Sequence, residues 1–375
     1  MSAHPSITPA PHRPAPSSAA TAREATVGSG PAWRGMALIA VAAVAWGTGG
    51  AVAAVLYRTS GLGPIAVSYW RFVIGALTLA VYLALRDARS RRRTASRDSG
   101  RLTDARSSGR RAGTRGSGSL TTAHGSGRRA AARGSDRRAA AQGSGTAVRR
   151  AVLMLASGVG LAVYQSAFYA AIADAGLAVG TVVTLGAGPI LIAVGARVVL
   201  AERLGRAGAV AITLALSGLV ALSLDSGAAG PDPVRGLVFA LLSALGYAVV
   251  TLIGRAANPA GDPFRTALAG FLVGGVVLTP FALAEGVLPV TAGLPATIGW
   301  LLYLGVVTSA LAYGLFFAGL AHVNATTASI VTLLEPVAAA LLAIVFLGEH
   351  LTAAVLIGML LLLGAVAGLT RPNRR

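Results

Sequence analysis

Two ionisable side chains sit inside apolar runs long enough to cross a bilayer, and both types can do chemistry there. Glu335, followed at once by Pro336, interrupts the stretch from Ile330 to Leu347, IVTLLEPVAAALLAIVFL. At about 1.5 Å rise per residue, the roughly 20 residues from Ala328 to Leu347 match a hydrocarbon core about 30 Å thick. A carboxylate at that depth costs on the order of 3 kcal/mol on insertion scales. It either takes part in transport or gating, as a proton carrier or a partner for a cation, or it makes a structural hydrogen bond. Pro336 cannot donate its backbone hydrogen bond and crowds the carbonyl one turn back, so the helix is kinked or locally open beside Glu335. Arg71 lies seven residues into the run from Pro64 to Leu85. Either it snorkels to the interface, or it pairs with a carboxylate such as Glu335 or with an anionic group of a substrate.

A third group is aromatic. Tyr164, Gln165, Phe168 and Tyr169 cluster in a segment otherwise made of small residues, and Trp46, Tyr247, Tyr313 and Asn324 are placed to join them from other segments. Rings with an NH or OH suit a cavity for a partly apolar amine or amino acid. For Tyr313 and Asn324 ordinary packing is the leading reading, and for Tyr69, Trp70 and Trp300 it is the interfacial belt. The five His, at 4, 12, 124, 322 and 350, have no metal-ligand spacing. No nucleophile–base–acid order, paired catalytic carboxylates or phosphate-binding loop is present, so neither an enzyme nor a cofactor is expected.

These residues must be positioned by spanning helices. The mean hydropathy of +0.69, with 54% hydrophobic and 12% charged residues, describes a polytopic membrane protein. There is no Cys. All 32 basic residues are Arg, and 18 of them lie between Arg86 and Arg150 against four Asp, which accounts for 14 of the 19 net positive charges.

Residues 1–33, rich in Pro, Ala, Ser and Thr, are expected to form a disordered tail with no cleaved signal. The expected spans are 35–56, 64–85, 151–172, 177–200, 206–224, 236–254, 263–283, 297–320, 325–347 and 352–369. Residues 86–150, built from pieces such as GSGRRAAARGSDRRAAAQGSG, are expected to be a disordered linker. A peripheral contact of its Arg with anionic lipid is a second reading, while the lack of interleaved aromatics speaks against nucleic acid. With the N-terminus inside, one face collects the linker and nearly all other Arg, and the other only Arg58 and Arg235, so both termini are expected in the cytoplasm.

The two halves resemble each other. Arg34-Gly35 and Arg235-Gly236 open matching spans, with Trp46 and Tyr247 at the same distance. Pro64, Phe72 and Gly75 match Pro263, Phe271 and Gly274. GAGPILIAVGARVVLAERL lies over LLEPVAAALLAIVFLGEHL, aligning Pro189 with Pro336 and Glu202 with Glu349. Five spans per half is odd, so the second copy inserts upside down, an arrangement that places a substrate path between the halves. Glu202 and Glu349 then close spans on opposite faces as solvated charges.

Trp46-Gly47, the Pro64 to Arg71 spacing, the Glu335-Pro336-Val337 triplet, Gly348-Glu349 and Ala201-Glu202, in that order across ten spans, resemble the EamA-type exporters of the drug/metabolite transporter superfamily. The resemblance spans residues 34–85, 151–225 and 235–370. It implies an all-α integral membrane protein with ten transmembrane helices in an inverted five-plus-five repeat. It further implies export of small metabolites, amino acids or related solutes among them, or of drugs, often driven by the proton gradient. Two departures stand out: the first half has Gly188 where the second has Glu335, and the Arg-rich insert is not a family feature. The expectation is a carrier in the cytoplasmic membrane with no cofactor, whose substrate-binding or gating residues are Trp46, Arg71, Tyr164, Gln165, Phe168, Tyr247, Glu335 and Pro336. Uptake or exchange is the alternative within transport, and a membrane-embedded sensor or enzyme the alternative of another class.

Overall fold

The computed structural model describes residues 32–109, 126–224, 231–257, 262–290, 293–347 and 352–370, and all regular structure among them is helical. In hydrocarbon each backbone N–H and C=O must be satisfied within its own segment, which is why apolar runs of this length fold as helices. The order is α1 Ala32–Thr59, α2 Pro64–Gly109, α3 Ser126–Ala175, α4 Leu177–Val199, α5 Arg206–Ser223, α6 Pro233–Ala257 and α7 Pro263–Glu285. Then come α8 Leu294–Tyr303, a π-helical segment Leu304–Leu311, α9 Ala312–Leu320, α10 Ala325–Val331, α11 Leu334–Leu347 and α12 Ala353–Thr370. Among the described residues nine stretches are long and apolar enough to cross a membrane, and Ala353–Leu369 is a shorter apolar helix. With α8, the π segment and α9 forming one span, and α10 and α11 another, this is the ten-helix membrane protein expected.

Helix ends gather at two rims. At the first rim, Gly35 near the start of α1 packs on His322 and Val323, and Arg86 of α2 pairs with Asp262, which caps α7 by accepting from Phe264 N–H at 3.0 Å. At the second rim, Val290 N–H donates to the Ser60 carbonyl at 2.8 Å after α1 has ended, and Asp232 N–H donates to the Asp174 carbonyl at 2.9 Å just before α6 begins. Helices α1 and α6, which open the two copies, therefore start at opposite rims: the repeat is inverted.

Packing obeys the same two-fold relation. Helix α2 lies along α7 and α5 along α12; α3 packs on α6 as the π segment and α9 pack on α1, and α4 packs on α6 as α11 packs on α1. The pseudo-axis passes between the equivalent Phe72 and Phe271, whose rings stack at 5.4 Å with 28° between planes. Their counterparts Gly75 and Gly274 make room for them: a β-carbon at Gly75 would sit 3.1 Å from Phe271 and one at Gly274 2.7 Å from Phe72. Outward side chains such as Leu77 and Val276 are exposed, as a lipid-facing surface requires.

The Arg-rich region departs from expectation. Helix α2 runs past its apolar part to Gly109 and α3 begins at Ser126, so within 86–150 only residues 110–125 lie outside the described structure, and the rest is helical rather than irregular. Arg and Ala are strong helix formers and this stretch contains no Pro, so a helix already nucleated in the membrane propagates outward. Of the expected tail, residues 1–33, the first 31 lie outside the described residues while Ala32 and Trp33 open α1, and Glu349, His4, His12, His124 and His350 likewise lie outside the described residues.

Candidate functional site

The ninth span does not continue through Glu335 as one helix. Helix α10 ends at Val331, a tight turn follows in which Leu333 N–H donates to the Ile330 carbonyl at 3.1 Å and Glu335 N–H to the Thr332 carbonyl at 2.9 Å, and α11 restarts at Leu334. Pro336 is the third residue of α11, where a missing N–H leaves nothing unsatisfied. Glu335 stands in that first turn, where aligned N–H dipoles favour a negative side chain. Two hydrogen bonds hold the break open: the Thr332 hydroxyl donates to the Ser329 carbonyl at 2.8 Å, and shares a 2.8 Å bond with the Tyr247 hydroxyl. Gly47 of α1 lets the two helices close up, since a β-carbon there would lie 2.6 Å from the Glu335 carbonyl oxygen.

The eighth span carries a second irregularity. In the π segment the ladder shifts, so Ala312 N–H goes to the Val307 and Ser309 carbonyls and bypasses Thr308. The released Thr308 carbonyl accepts from Trp46 Nε1 at 2.9 Å. That bond fixes an indole at mid-depth with its ring 4.9 Å from Tyr313 and 5.4 Å from Phe316.

From Trp46 the rings form a connected chain through the centre. Phe316 lies 6.5 Å from Tyr247, Tyr247 5.4 Å from Tyr164, Tyr164 6.5 Å from Phe168, Phe168 5.7 Å from Tyr169, and Tyr169 6.2 Å from Tyr57. These spacings are those of attractive ring pairs. Arg71 and Glu335 face the same chain. The Arg71 guanidinium lies within electrostatic reach of Tyr57, Tyr164, Tyr169 and Tyr313, and Glu335 of Tyr164, Tyr247, Tyr313 and Arg71 itself.

All eight candidates from the sequence therefore belong to one region, with one correction. Arg71 and Glu335 do not pair: no carboxylate among the described residues comes within 4.0 Å of the Arg71 guanidinium. The Arg71 Nε is sealed off without a partner, as is Nε2 of Gln165, itself only 5% exposed. Sequence reasoning under-read Tyr313 and missed Tyr57 and Thr332. Tyr57 sits two residues from a helix end, where an aromatic reads as interfacial, and a single Thr in an apolar span carries no signal.

The rims are bonded shut by groups read as solvated or not singled out. Glu202 is not a free surface charge: its carboxylate accepts from Arg255 Nε at 3.2 Å and from Ala325 N–H, the first residue of α10, at 3.1 Å. Ala201, with φ of 56°, turns the chain to aim it, and Glu202 N–H folds back on the Ala196 carbonyl at 3.0 Å. At the second rim Asp174 accepts two bonds from Arg235, at 2.7 and 2.6 Å, which hold its carboxyl below the ordinary value. Glu285 accepts from Ala66 N–H at 2.6 Å at the head of α2. Burial alone pushes Asp262 up, but the bonds from Arg86 and the Phe264 N–H outweigh it and leave its carboxyl lowered. His322 keeps Nδ1 buried without a partner, and no group of three metal-ligating side chains occurs among the described residues.

A profile of the EamA-like transporter family matches residues 234–371, which is α6 to α12. "Uncharacterized transporter YwfM" of Bacillus subtilis (strain 168) is 32% identical over 224 residues, covering 60% of this chain and 75% of the relative. The chain belongs to the EamA-like transporter family. An uncharacterized Pseudomonas aeruginosa protein is 31% identical over 214 residues, or 57% of this chain and 71% of its own length. A solved crystal structure with 17% identity aligns over 90% of this chain and 96% of its own, with a TM-score of 0.63, and shares the fold. This EamA-like protein is thus a multi-pass membrane transporter.

Proposed function

We propose that the protein is a secondary active exporter of small organic metabolites, amino acids or related solutes among them, or of drugs, working by alternating access in the cytoplasmic membrane. One observation supports this reading: the interior between two inverted halves holds a guanidinium, an amide and a carboxyl group with aromatic rings around them, and Arg71 Nε and Gln165 Nε2 are buried there without a protein partner. Buried polar groups without partners are costly and persist where a ligand or water meets them. The inverted halves supply the rocking, and the bonded rims supply two gates that open in turn. Glu335 is the proton-coupling group, exposed to water from one side or the other as the gates open in turn.

Orientation follows the Arg distribution. The first rim carries the Arg-rich ends of α2 and α3 as well as Arg197, Arg203 and Arg206, and faces the cytoplasm with both termini. The basic helical ends lie beside the anionic inner leaflet, where each Arg adds about 1 kcal/mol of attraction. Cells overproducing the protein should lower the intracellular and raise the extracellular level of its solutes, and Glu335→Gln should abolish the pH dependence of that flux. Accumulation inside the cells would instead establish uptake.

A further inference from the structure

The turn that joins α4 to α5 at the first rim sends its charges in two directions. Ala201, with φ of 56°, bends the chain so that the Leu200 and Glu202 N–H groups both donate to the Ala196 carbonyl at 3.0 Å. Glu202 thereby turns inward to Arg255 and the Ala325 N–H. Arg203 and Leu204, beyond the bend, are exposed, as is Arg197 in the last turn of α4. Among the described residues no carboxylate lies within 4.0 Å of either the Arg197 or the Arg203 guanidinium.

These two Arg stand at the rim end of a cleft of about 480 Å³, lined by Ala193, Val194, Arg197, Val198, Arg203 and Leu204. Deeper than the charges the lining is apolar. Ile190, Val194 and Val198 recur every four residues and are all exposed, so they form one outward ridge about 12 Å long. Leu204 folds back over the first turn of α5, where a β-carbon at Gly208 would meet its side chain at 2.7 Å. A phosphate between two guanidiniums, with a hydrocarbon chain against the ridge, matches both the charge and the shape of this cleft.

The second copy keeps the ridge and drops the charges. Ile190, Val194 and Val198 correspond to Val337, Leu341 and Val345, of which Leu341 and Val345 are again exposed, whereas Arg197 corresponds to Ile344 and Arg203 to His350. Inversion places that copy against the opposite leaflet. Loop Arg that merely set topology need no apolar cleft beneath them. A basic pair above such a cleft, on one copy only, suits a membrane whose anionic lipids lie on one side.

We propose that the cleft is a site for one anionic phospholipid of the inner leaflet, its phosphate bridged by Arg197 and Arg203 and one acyl chain laid along Ile190, Val194 and Val198. It differs from the diffuse attraction of the α2 and α3 ends in being a single, saturable site. The choice of leaflet rests on the orientation proposed above; binding of the lipid rests on neither that orientation nor the identity of the solute.

Native mass spectrometry of the full-length protein, purified in detergent and stripped of lipid, tests this as phosphatidylglycerol or phosphatidylcholine with the same acyl chains is titrated in. The wild type should take up one phosphatidylglycerol at least tenfold more tightly than phosphatidylcholine. Arg197→Gln with Arg203→Gln should bring that ratio to within twofold, and so should Val198→Glu, which sets a carboxylate against the pair from an exposed position. Arg89→Gln with Arg92→Gln, which removes the same charge from the basic end of α2, should leave the ratio unchanged. A ratio untouched by both cleft variants, or an equal loss in the α2 variant, overturns the site. Displacement of phosphatidylglycerol by inorganic phosphate at equal concentration also overturns it, because the pair would then be a plain anion site with no use for the ridge.

Discussion

The two halves share a fold yet treat their matching proline segments differently. Helix α4 runs unbroken through Pro189, whereas the ninth span stops and restarts just before Pro336. Four residues ahead of the proline the first copy has Leu185, packed in apolar surroundings, while the second has Thr332, whose hydroxyl bonds to Ser329 and Tyr247. Proline weakens a helix, but a side chain that competes for backbone groups, with a partner to hold it, turns weakness into a break. The acid follows the same division: a β-carbon at Gly188 would already lie 3.1 Å from the Tyr247 ring, which would have to shift to admit a carboxylate in that copy. Duplication supplied the scaffold, and loss of symmetry at a few positions supplied the polar path.

The symmetric part of this comparison is tested at the pseudo-axis. Phe72→Ala and Phe271→Ala should each lower stability by about 3–5 kcal/mol, and to a similar degree, with the double variant losing less than the sum because the two rings bury each other. Unfolding in detergent followed by circular dichroism reads all three, and very unequal losses would break the equivalence.

The bonded first rim is tested at Glu202. Its carboxylate meets the largely buried Arg255 and heads α10, so Glu202→Ala should cost about 3 kcal/mol by leaving that charge uncompensated. It should also expose the first rim to thiol reagents at a Cys placed at Asn324. A change no larger than that of a surface residue would return Glu202 to the solvated role. Ala201→Gly should act in the opposite direction, gaining up to about 1 kcal/mol, because the positive φ it relieves strains any residue with a β-carbon.

The smallest effect belongs to the second rim. Arg235 holds Asp174 below its ordinary value, so the pair contributes fully above the unfolded carboxylate range of about 4 and is lost as pH falls through the lower folded value. Asp174→Asn should therefore resemble the wild type in strong acid and differ from it slightly at neutral pH, with the difference shrinking in high salt. A stability gap that widens on acidification would contradict the sign.

Spans, inversion and the aromatic candidates were legible because each rests on a repeated pattern: apolar length, the odd number of helices per half, and matched spacings such as Phe72 with Phe271. Arg71 and Glu335 stood out because charges are rare in such runs. What sequence did not carry was lateral placement. Nothing in the order of residues says that Arg71 and Glu335 face one interior without touching, or that Glu202 reaches Ala325 over 123 positions. For the Arg-rich stretch, low complexity and charge signal disorder in an isolated chain, whereas residues 86–109 and 126–150 continue as helix from the spans they adjoin.

The π segment has a consequence for how this architecture tolerates change in length. Its wider turns accommodate more residues than α turns do, so everything after it is rotated relative to the helix before. Tightening it to α geometry at constant length would swing Tyr313 and Phe316 by about 100°, given 3.6 residues per α turn, whereas removing one residue between Leu304 and Leu311 as the turn tightens would leave them on their present face. The eighth span thus works as a phase adjuster: a single inserted position decides which aromatic surface faces the interior and which faces the lipid.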